Sequence, residues 1–219
     1  MKKVRLFILI MVFLPLYACA PASDSNHTIT ITEPGALPTE TSSPRPTLTP
    51  FPPDPLTLEE AAQEVIHVLG DKDLEIVAEF VHPEMGVRFS PYTYVQDSHL
   101  VFMPDELPGL VGSDQVFEWG SFDGSGDPIE LTFDEYYERF LYSADFANPE
   151  MMAVNEELGY SSMINNIADY YPGSSFVEYH FSGFEEDYGG LDWVSLRLVF
   201  IQEEGTWFLV GLVNDQWTI

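Results

Sequence analysis

The chain is short of positive charge, with 8 Lys and Arg against 36 Asp and Glu in 219 residues. Holding a polyanion requires a basic footprint, so nucleic acid is excluded as a direct partner. Cysteine is nearly missing as well: Cys19 is the only one, which rules out a disulfide framework or a thiolate metal cluster. His67, His82, His99 and His180 show no ligand spacing such as HExxH. No GxSxG elbow, P-loop or dinucleotide fingerprint occurs. The apolar run Leu6–Leu16 contains Pro15 and falls short of the about 20 residues that a membrane-spanning helix needs.

What is present begins with Lys2, Lys3 and Arg5 ahead of that run and small residues after it, the order of a signal peptide over residues 1–18. Leu16-Tyr17-Ala18-Cys19 resembles the lipobox of bacterial lipoproteins, in which the cysteine thiol receives a diacylglyceryl group and becomes the new N-terminus. The resemblance implies a bacterial cell-envelope protein with lipid on Cys19, on the outer face of the cytoplasmic membrane or in the outer membrane. The alternative is a secreted protein cut near Ala18 or Ala20. Residues 19–55 are rich in Pro, Thr and Ser, with few large apolar side chains. Such a segment cannot bury enough surface to offset chain entropy, so it reads as a disordered stalk.

The remaining 56–219 has room for one α+β domain. Thr57 and Glu60 form a capping box ahead of Leu58, Ala61, Ala62, Val65, Ile66 and Leu69, a helical repeat that Gly70 stops. Asp71 is the expected cap of a second helix with Leu74, Val77, Ala78 and Val81 inward. Strands are expected at Val87–Ser90, Tyr92–Val95, Leu100–Met103 and Gln115–Trp119. Thr132 and Glu135 cap a helix bearing Phe133, Tyr136, Tyr137, Phe140 and Leu141. Strands Phe176–Phe181, Trp193–Gln202 and Thr206–Val213 follow, the last two joined through Glu203-Glu204-Gly205.

This order resembles the NTF2-like α+β roll (cystatin-like roll), which implies a helical hairpin and a further helix packed on a curved antiparallel sheet with a pocket at its open end. The strings Gly86–Tyr92, Trp119–Asp127, Val177–His180, Asp192-Trp193 and Asp215–Ile219 resemble a group of bacterial lipoproteins with no assigned activity. Relatives place a histidine where this chain has Asn214.

Three candidate sites emerge. Asp123, Ser125, Asp127 and Glu130 put oxygens along a glycine-bent loop that suits Ca²⁺; a solvated turn is the alternative, and no cofactor is required. Glu185, Glu186, Asp187 and Asp192 form a second acidic loop, read as a strand connection. Strand parity puts Glu178 and His180 on one face and Arg197 on a facing strand, so a concave arrangement makes a ligand pocket of Arg88, Glu178, His180, Arg197 and Trp217. Glu178 and His180 then become a candidate catalytic acid/base pair, although cross-strand charge pairing explains the same pattern and a structural ion pair explains Arg88. Trp119, Trp193, Trp207 and Trp217 are either core or a stacking platform for cell-wall glycan. The leading expectation is a lipid-anchored binding or interaction domain for a glycan or envelope protein. A small envelope enzyme around His180 and a Ca²⁺-stabilised structural module are the alternatives.

Overall fold

Residues 55–218 are described by a computed structural model; Cys19, the signal segment and nearly all of the stalk lie outside the described residues. Helix α1, Leu58–Gly70, begins at the expected capping box and buries the six apolar residues of its repeat. Helix α2, Leu74–Phe80, is capped by Asp73, whose carboxylate accepts from Ile76 N–H, and not by Asp71. Asp71 instead closes the C-terminus of α1, and Lys72 takes the left-handed turn between the helices at φ 59°. None of the described helices is long and apolar enough to cross a membrane.

Strands β1 (Val87–Ser90), β2 (Val101–Phe102), β5 (Met151–Val154), β6 (Ser175–Phe181), β7 (Val194–Glu203) and β8 (Thr206–Gln216) make one mixed, mostly antiparallel sheet. Its order is β2-β1-β8-β7-β6-β5, and β1 and β8 are its one parallel pair. Strands β3 (Val116–Ser121) and β4 (Pro128–Thr132) form a separate hairpin. Glu204 and Gly205, both at positive φ, make the tight turn between β7 and β8, a backbone sign that matches the twist of the flanking strands.

The two faces of the large sheet differ by one residue of register, as a period of two requires. Phe89, Leu212, Leu198, Val177 and Val154 form one row across five strands, and this face packs into the main core with α1, α2 and the Phe133 helix. One step along, Ser90, Val213, Arg197, Glu178 and Ala153 form the opposite row. That second face is covered by residues 155–171, including helix α4 (Ile167–Tyr170); Ile167 and Tyr171 pack on Val199 and Val213.

Helix α3, Phe133–Tyr136, starts at the expected Thr132–Glu135 capping box and continues as a π-turn over Tyr137–Leu141. The wider turn keeps all five expected aromatic and apolar residues buried. Tyr92–Val95 is not a strand but a series of bends, because its polar groups bond to residues far away in sequence, as described next.

Candidate functional site

Glu178 and Arg197 meet directly across β6 and β7, and both are fully buried. Arg197 Nε donates to Glu178 Oε2 at 2.7 Å, and Nη2 donates to Asp215 Oδ2 at 2.9 Å. The same guanidinium donates to the Thr93 hydroxyl and the Gly159 carbonyl, while Gly159 N–H donates to Glu178 Oε1. Burial pushes the Asp215 carboxyl upward and Arg197 only partly offsets it. A side chain at residue 159 would collide with the Trp193 ring and the Ser195 hydroxyl, so only glycine brings its backbone this close to the ion pair. The charged groups that parity brings together thus serve to fasten loops, and neither Glu178 nor Arg197 has a surface open to a ligand.

The five residues expected in one pocket do not share one. Among the described residues Arg88 makes no ion pair: its Nη1 donates to the carbonyls of Gln96, Asp97 and His99, and the guanidinium lies over the Tyr170 ring. Those carbonyls have no strand partner because the chain bends there, and Arg88 supplies the donors. His180 is 5% exposed with Nδ1 at 2.7 Å from the Ser195 hydroxyl. Burial pushes its imidazole pKa down while Glu178 and Glu150 pull the other way. Trp217, 41% exposed, lines a different hollow with Phe184, Leu191 and Trp193. Asn214 pairs with Leu196 on the helix-side face, the face opposite to the one that carries His180.

The expected Ca²⁺ oxygens form the β3–β4 turn. Phe122 N–H donates to the Asp127 carbonyl, Gly126 N–H donates to the Phe122 carbonyl, and Ser125 Oγ accepts from Asp127 N–H. Glu130 sits out on β4, opposite Glu118. Among the described residues no group of three or more His, Cys, Asp or Glu side chains is gathered to hold a metal ion. In the second acidic loop, Asp192 Oδ2 accepts from Phe184 and Glu185 N–H and closes the strand connection.

A cleft of about 170 Å³ forms where three segments meet. Residues 92–99 supply Tyr92, Tyr94, Gln96, Ser98 and His99; β3 supplies Glu118, Gly120 and Ser121; the covering segment supplies Met163. The buried ion pair holds two of these segments, through Thr93 and Gly159. Asn166 adds a reciprocal clasp, donating from Nδ2 to the Val95 carbonyl and accepting from Val95 N–H at Oδ1. His99 is 5% exposed. Its Nδ1 accepts from Gln96 N–H and lies 2.9 Å from the Ser90 hydroxyl. Because a backbone N–H can only donate, Nδ1 is the acceptor and the neutral ring carries its proton on Nε2. Gly120, at φ +129°, lets that ring edge lie close: a Cβ there would stand 3.3 Å from His99 Cδ2 and 3.5 Å from Nε2.

Burial, with a smaller push from Arg88, lowers the His99 pKa from its ordinary 6.5 to about 4. The unfolded chain therefore binds a proton that the native ring refuses between those values, and stability falls as pH drops from 6.5 to 4. The expected His99 contribution is a slope of up to about 1.4 kcal/mol per pH unit. Urea melts at pH 7, 5.5 and 4.5 would measure it, and His99→Gln should flatten the slope.

No spacing in the sequence links Tyr94 and His99 to Glu118, since the 92–99 segment and β3 are brought together only by the fold. No protein-family model matches the chain, and no curated protein matches it.

Proposed function

We propose that the protein is a lipid-anchored extracytoplasmic binding domain of NTF2-like form, held to the bacterial envelope through Cys19 and presenting the His99 cleft to a small ligand. The observation that carries the binding reading is the hydrogen bond from Gln96 N–H to His99 Nδ1, which assigns the ring proton to Nε2. With Nδ1 already accepting two bonds and Nε2 protonated, the ring offers the cleft a hydrogen-bond donor and has no free lone pair to act as a base. The low pKa keeps it in that state at neutral pH. A His180-based enzyme draws less support, because Glu178 is committed to Arg197 and Gly159. A Ca²⁺-stabilised module draws less as well, since the Asp123–Asp127 loop is a self-bonded turn.

The anchor has a direct test. Cells grown with labelled palmitate should incorporate label into the wild-type chain and not into Cys19→Ala, and globomycin should leave the precursor uncut. A Cys19→Ala protein that still carries label, or processing that ignores globomycin, would reject the lipid anchor.

A further inference from the structure

We infer that the His99 cleft takes a neutral, hydroxyl-rich ring, a single pyranose unit, stacked on Tyr94 with its hydroxyls shared between the His99 Nε2–H and the Glu118 carboxylate. This rests on the reading of the cleft as a ligand site and narrows it to one ligand class.

Charge selects first. Arg88 lies beside the cleft, but its Nη1 is committed to three backbone carbonyls, and His99 stays uncharged. Glu118 is then the one formally charged side chain among the residues lining the cleft, so a phosphate or carboxylate ligand meets its repulsion with no cationic side chain in the lining to bond it. A metal ion is equally ill served, because the inward-facing histidine nitrogen carries a proton and a lone carboxylate makes a poor cage.

Hydrogen-bonding capacity selects next. The lining combines an N–H that has no partner among the described residues (His99 Nε2), a pure acceptor (Glu118) and groups that do both (Gln96, Ser121). A ligand that donates and accepts at neighbouring positions satisfies all of them, and vicinal hydroxyls do so. The Tyr94 ring, 45% exposed at the cleft, supplies an apolar plate for the C–H face of such a ring. Size selects last. The volume of about 170 Å³ lies below the roughly 300 Å³ at which pockets for larger ligands begin, which suits one ring and not an enclosed oligomer.

Saturation-transfer NMR on the detergent-solubilised full chain tests this, with methyl β-glucopyranoside and N-acetylglucosamine as probes and uridine, inorganic phosphate and Mg²⁺ as comparisons. Tyr94→Ala and Glu118→Ala, both at solvent-facing positions, are the variants, with thermal melts to confirm folding. The expected result is saturable sugar binding that weakens about tenfold in each folded variant, the size of one lost stacking or charge-assisted contact. Sugar binding unchanged in both variants would place the site elsewhere and overturn the inference. Binding of uridine, phosphate or Mg²⁺ in place of sugar, lost in the same variants, would overturn the ligand class and leave the cleft as a ligand site. Absence of any probe response would overturn the ligand class and the binding reading together.

Discussion

Arg197→Met should lower the stability of the folded domain by about 3–5 kcal/mol, the range seen when one partner of a buried ion pair is removed. Set against the about 5–15 kcal/mol that holds a typical domain, a loss of this size leaves a substantial unfolded population at 37 °C. The cause is not the missing attraction alone. Glu178 and Asp215 would be left as two buried carboxylates facing each other, and Thr93 and Gly159 would lose their common donor. The loss should therefore shrink as pH falls, because protonation neutralises the stranded carboxylates; burial already pushes Asp215 upward in the intact protein. Arg197→Lys should recover little, since one ammonium cannot reach four partners spread around a planar fork. Urea melts of the three proteins at pH 7 and pH 5 decide the matter. Equal loss at both pH values would mean that packing, and not stranded charge, dominates.

Trp119→Ala should cost a similar amount, about 3–5 kcal/mol, through a different mechanism. Trp119 is fully buried and stacks on Tyr136 at 4.0 Å between ring centroids, with Phe89 at 5.8 Å and Phe117 at 5.5 Å. It is the point where the small β3–β4 hairpin meets the large sheet and α3, so its removal opens a cavity at a junction between layers. Its indole N–H also donates to the Leu131 carbonyl. Trp119→Phe keeps most of the ring packing but removes the indole donor to that carbonyl, and should cost about 1–3 kcal/mol. Loss of the near-ultraviolet dichroism of the stacked pair, measured alongside denaturant midpoints, would separate local loosening from global unfolding. A Trp119→Ala protein with an unchanged midpoint would show that the hairpin contributes nothing to holding the core.

What the sequence made legible was local. The α1 repeat, the Thr132 capping box and the β7–β8 hairpin each carry their signal within a dozen residues, and all three form as expected. Strand parity left Glu178 and Arg197 either in a pocket or paired across strands by charge, and the cross-strand pair is the arrangement found. The short elements were not legible. Strand β5 and helix α4 run for four residues each and exist because β6 and the second sheet face are there to receive them. Tyr92–Val95 has the composition of a strand, yet its Thr93 hydroxyl and Val95 backbone bond to Arg197 and Asn166. No window of sequence contains both ends of those bonds. The cleft suffers the same way: His99 stood out only as a histidine without neighbours, and its meaning depends on Ser90, Gln96 and Gly120 closing around it.

The parallel pairing of β1 with β8 sets the order in which the domain can assemble. Arg88 lies beside Gly211 and Ser90 beside Val213, so the inner strand of the sheet is also the last strand of the described region in sequence. β1 and β2 have no bond to the rest of the sheet until β8 slides between β1 and β7. The earlier segments must wait, and with so much of the topology made of distant pairings the domain belongs among slow folders. Partial chains lacking β8 would expose the row that holds Phe89 and Leu198, a surface for aggregation or chaperone capture. The same delay suits a polypeptide that has to be threaded in extended form before it folds, as the proposed route across a membrane demands.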